Sequence, residues 1–77
     1  MVRENDREKF VKLAQSRVNK TIKDIQLIGN LSNRSNYDYT EEDVAKIFRA
    51  LTDELTACKK RFELSRRKSE VGSFTLV

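Results

Sequence analysis

The chain has 77 residues, of which 36% are charged; it has no proline, two glycines and a formal net charge of +4. This composition describes one small domain of long amphipathic helices with a thin core of its own, and argues against a sheet protein. One cysteine, Cys58, and no histidine exclude an internal disulfide, a Cys/His zinc site and a Cys-His nucleophile pair within one chain, so neither a metal nor a cofactor is expected.

The N-terminal "MVRENDREKF" lacks the apolar run of a signal peptide, and no stretch of about 18 apolar residues occurs, which predicts a cytoplasmic protein without a membrane span. The first helix is predicted over residues 6–28. Asn5 with Glu8 three residues on has capping-box spacing, and Val11, Ala14, Val18, Ile22, Ile25 and Ile28 recur every three or four residues as one stripe. Leu13 and Leu27 point away from that stripe. Gly29 is expected to end the helix as a left-handed C′ residue. The loop then runs over residues 29–39 and is rich in asparagine. Three N-x-S/T sequons, at Asn19 in the helix and at Asn30 and Asn33 in the loop, read as accidents of a cytoplasmic sequence.

The second helix is predicted over residues 41–64. Thr40 is its N-cap with Asp43 three residues on, Glu41 and Glu42 complement the helix dipole, and Tyr39 and Val44 have the spacing of a hydrophobic staple. Val44, Phe48, Leu51, Leu55, Cys58 and Phe62 step 4, 3, 4, 3, 4 with Ile47 beside them, the narrow seam of coiled-coil-like packing. Cys58 in that seam is expected to be a buried, inert thiol. Residues 65–77 lose the periodicity and read as a tail, flexible or ending in a short extended segment at "SFTLV". The predicted fold class is therefore all-α: an antiparallel two-helix hairpin in residues 1–77, pairing into a homodimeric four-helix bundle because two stripes alone bury too little.

Charge is unevenly distributed. Residues 1–28 carry seven Lys/Arg against four Asp/Glu, residues 40–57 two against five, and residues 58–77 six against two. An antiparallel hairpin would gather Arg7, Lys9, Lys12, Lys59, Lys60, Arg61, Arg66, Arg67 and Lys68 at one basic pole, suited to nucleic acid or a nucleoprotein complex. Dipole preference and solubility are the plainer account of the same residues. In the loop, Asn33, Arg34, Asn36 and Tyr37 are the candidate contacts for a protein partner, against a reading as an ordered turn. No base, nucleophile and oxyanion donor come together, so no catalytic residue and no enzyme is expected. A membrane-surface role fits poorly, because the basic residues face no large apolar surface with exposed aromatics.

The central stretch "RVNKTIKDIQLIGNLSNRSNYDYTEEDVAKIFRAL", through Asn19-Lys20, Gly29-Asn30, Ser32-Asn33, Tyr37-x-Tyr39 and Thr40-Glu41-Glu42-Asp43, resembles a group of small helical-hairpin proteins of bacterial phages and mobile elements. The resemblance implies an accessory protein of such an element and carries no functional residue with it. "TDELTACKKRF" is similar to part of the second helix in the Rop family of plasmid copy-number proteins, which implies a dimeric bundle that binds RNA. This chain departs from that family in its longer interhelical loop and in the placement of its basic charge. The expected function is thus non-enzymatic binding of nucleic acid through the basic pole; the alternative is an inhibitor or adaptor that grips one protein through the loop and an exposed helix face.

Overall fold

A computed structural model describes the backbone of residues 3–72 and the side chains of residues 4–66. The fold is all-α. Two helices, α1 (Arg3–Asn30) and α2 (Glu41–Gly72), are joined by ten residues, and no strand occurs among the described residues. The chain divides into two units, Met1–Asp38 and Tyr39–Val77, each built on one helix.

In the first unit, α1 has 28 residues, or about 42 Å at a rise of 1.5 Å per residue. It starts before the expected position, so Asn5 lies inside the first turn and does not cap it. Glu4 and Asp6 supply carboxylates in that turn, where the helix dipole favours negative charge. The other end also differs. No glycine among the described residues has a positive φ, so Gly29 is not the left-handed stop its type suggested. The helix instead closes through tight backbone bonds from Leu31 N–H to the Ile28 carbonyl and from Ser32 N–H to the Gly29 carbonyl, each 3.0 Å. Such three-residue bonds pair carbonyls at a helix end without any left-handed residue.

Asn33 organises the chain that follows. Its carbonyl accepts from Asn36 N–H at 3.1 Å and from Tyr37 N–H at 3.0 Å, while its side-chain Oδ1 accepts from Ser35 N–H at 2.9 Å. This is an Asx turn nested in a backbone turn, the local chemistry by which asparagine competes with helix.

In the second unit, α2 opens on a complete capping box. Thr40 N–H donates to Asp43 Oδ2 at 2.9 Å, and Asp43 N–H donates to Thr40 Oγ1 at 3.1 Å. Val44 N–H adds the first helical bond, to the Thr40 carbonyl at 3.2 Å. Tyr39 and Val44, the staple pair, are both half-buried in otherwise exposed surroundings. Glu42 and Lys46 form an ion pair of 3.4 Å one turn apart, as Lys20 and Asp24 do at 3.1 Å in α1. These exposed pairs each contribute only a few tenths of a kcal/mol.

α2 has 32 residues, about 48 Å, and passes Leu64 without a break to reach Gly72. Residues 65–72, expected as tail, are helix. The reason is local propensity: Arg66, Arg67, Lys68 and Glu70 are good helix formers, and neither glycine nor proline intervenes before Gly72. Residues 73–77 and the expected extended segment lie outside the described residues.

Among the described residues, no side chain is buried. Those that are half-buried, Val11, Ala14, Ile28, Tyr39, Val44 and Leu51, are all weakly polar or apolar, and all but Tyr39 belong to the two stripes. The rest of each stripe is open: Ile22 is 48% exposed in α1 and Phe48 57% in α2. Leu13 and Leu27, off the stripe of α1, are exposed as well. Cys58 is exposed in the single chain, so the burial expected of it is not supplied by α2 itself. A seam position is covered only by something packed on the seam, and a helix does not cover its own stripe.

Candidate nucleic-acid interface

The basic residues form a cluster on each helix. In α1, Arg7, Lys9 and Lys12 are exposed on the first three turns and line a shallow groove with Asn5, Glu8, Val11 and Gln15. The Arg7 guanidinium carbon lies 5.8 Å from the centroid of the Phe10 ring, within cation–π range. Glu8 lies among these cations and reduces the local field.

The cluster of α2 is denser. Lys59, Lys60, Arg61 and Arg66 are all exposed side chains on one continuous helix, and Glu63 is the acid among them. Phe62 sits in their midst at 62% exposure. A shallow groove on one side of its ring is bounded by Cys58, Arg61 and Ser65, and another by Lys59, Glu63 and Arg66. The seam thus ends between Arg61 in one groove and Lys59 and Arg66 in the other, whose aliphatic stems can flank the aromatic while their charged heads stay in water. Arg67 and Lys68 continue the same helix by backbone, and their side chains lie outside the described residues. Arg66, Arg67 and Lys68, expected on a tail, stand on α2, and the absence of a helix breaker in "SRRKSEV" is the signal for it.

The loop candidates separate by what holds them. Asn33 spends its side-chain oxygen and its carbonyl on the turn. Asn36 and Tyr37 donate their backbone N–H groups to the same carbonyl, with both side chains exposed, Tyr37 at 49%. Arg34 is exposed on the turn between them. The turn therefore presents Arg34, Asn36 and Tyr37 on an ordered backbone.

Only one described group has a clear shift in its titration. Asp43 is held below the ordinary aspartate range, chiefly by the Thr40 N–H and then by the Thr40 hydroxyl, with the positive charge of Lys46 adding to them. The cause is the capping box, which is structural chemistry. No group of three His, Cys, Asp or Glu suited to a metal ion occurs among the described residues, and none of their helices is long and apolar enough to cross a membrane. No family model matches the chain, and no curated protein or solved structure shows significant similarity to it.

Proposed function

We propose that the protein is a non-enzymatic accessory protein of a phage or mobile element that binds nucleic acid through the basic turns of α2, with Arg7, Lys9 and Lys12 of α1 as a second contact. The observation that carries this reading is the run of exposed Lys59, Lys60, Arg61 and Arg66 on an uninterrupted helix that continues through Arg67 and Lys68. The ion pairs Lys20–Asp24 and Lys46–Glu42 lie elsewhere. Ten residues of helix from Lys59 to Lys68 span about 15 Å, and at about 100° per residue Lys59 and Arg66 share one face with Lys60 and then Arg61 on the faces beside it, so part of the set at a time can meet phosphates of one backbone. Each phosphate neutralised releases condensed counterions, and affinity then falls steeply with salt.

Fluorescence titration with labelled duplex DNA and with RNA, repeated over a range of salt, tests this. The wild type is expected to bind at low salt. Replacing Lys59, Lys60, Arg61, Arg66, Arg67 and Lys68 with glutamine should weaken binding and flatten the salt slope by about 0.9 for every duplex phosphate that is no longer neutralised. Absence of binding to either nucleic acid at low salt overturns the reading.

A second reading is favoured by the ordered Asn33 turn, which holds Arg34, Asn36 and Tyr37 outward at low entropic cost: an inhibitor or adaptor docked on one protein. Under it, Arg34→Ala and Tyr37→Ala abolish activity while the glutamine substitutions in α2 leave it intact.

A further inference from the structure

The seam of α2 carries more information than its exposure. Val44, Phe48, Leu51, Leu55, Cys58 and Phe62 are spaced symmetrically about Asp53, so reversing the helix end for end maps the set onto itself. We propose that α2 pairs with α2 of a second copy, antiparallel and centred at Asp53, placing Val44 against Phe62 of the other chain, Phe48 against Cys58 and Leu51 against Leu55.

Side-chain size supports this register. In each outer layer a phenylalanine meets a small residue, the large-against-small arrangement that fills a core without strain. Parallel pairing in register would set Phe48 on Phe48 and Phe62 on Phe62, and leave thin layers at Val44 and Cys58. Charge points the same way. Glu41, Glu42, Asp43, Asp53 and Glu54 make the first half of α2 acidic, and Lys59, Lys60, Arg61 and Arg66 make the second half basic. The antiparallel pair lays the acidic half of one copy along the basic half of the other and opposes the helix dipoles; the parallel pair sets like charge on like. The exposure of Phe48, Leu55 and Phe62, at 57%, 63% and 62%, is the surface such a pair would cover.

The register makes one further demand. Glu54, at the edge of the seam and next to the axis, lies close to its own copy, so Glu54→Gln tightens the dimer by about two- to fivefold at low salt.

The test of this pairing uses the full chain without any nucleic acid, so its failure is distinguishable from a failure of nucleic-acid binding. Sedimentation equilibrium should give a reversible dimer. On oxidation, Phe48→Cys should form a covalent dimer with the native Cys58 of the other copy, while the wild type, whose two Cys58 positions are offset by about 15 Å along the axis, should form none. If Phe48→Cys disturbs packing, a spin label at Glu63→Cys in a Cys58→Ser background decides orientation alone: the antiparallel register separates the labels by about 30 Å or more. A monomer at every concentration, as when α1 covers the seam within one chain, overturns the proposal. So does ready disulfide formation through Cys58 in the wild type, or a label separation below about 20 Å.

Discussion

Thr40 and Asp43 each satisfy a backbone N–H of the other, so the start of α2 depends on two side chains. Thr40→Ala should lower stability by about 1 kcal/mol in denaturant titrations followed by helical circular dichroism. Asp43 acts as a carboxylate, and its pKa in the folded chain lies below the unfolded value. Its contribution is therefore full above the ordinary aspartate range and is lost as pH falls through the depressed folded value. The stability difference between wild type and Asp43→Asn should hold at neutral pH and close in acid; a gap that persists below both values would mean the carboxylate is not the stabilising species. This site was legible in the sequence because every group in it lies within four positions. Cys58 was not. Its burial depends on what packs against the seam, which no local pattern encodes.

At the scale of elements, both helices run further than their periodicity implied, for different reasons. α2 continues because loss of an apolar stripe removes a reason to pack, not a reason to be helical, and the Arg, Lys and Glu beyond Leu64 retain high propensity. α1 passes through Gly29 because Leu31 and Ser32 donate to the last carbonyls and take over the role of the stop. Gly29 is thus an ordinary helical glycine, and a Cβ built on it meets nothing within 4 Å. Gly29→Ala should stabilise α1 by about 1 kcal/mol, read as a higher thermal midpoint and slower amide exchange near residues 29–32. A left-handed C′ glycine would give the opposite sign, so the measurement separates the two accounts of this helix end.

At the scale of the whole molecule, the expected all-α class and the helix–loop–helix order are present, together with both apolar stripes. The candidate cations were legible as residue types, and those whose side chains are described are exposed. Their grouping was less so, since the clusters are fixed by helix register while the pole depends on how helices pack. A chain with no buried side chain among its described residues gains helical stability from whatever covers its stripes. If the cover is a second copy, the thermal midpoint should rise with protein concentration, each tenfold increase adding about 1.4 kcal/mol to the stability of the dimer. A midpoint independent of concentration would place the cover within one chain.

Arg34, on the Asn33 turn, is the only lysine or arginine between Lys23 and Lys46. A trypsin-like protease therefore has a single cleavage point on the link between α1 and α2, beside the hydrogen bonds that hold the turn in shape. Nicking there would convert one covalent chain into two peptides of different endowment: one keeps α1 with its cation cluster, the other the capping box, the seam and the denser cluster. Whether the pieces stay together after the cut would then rest on noncovalent association alone.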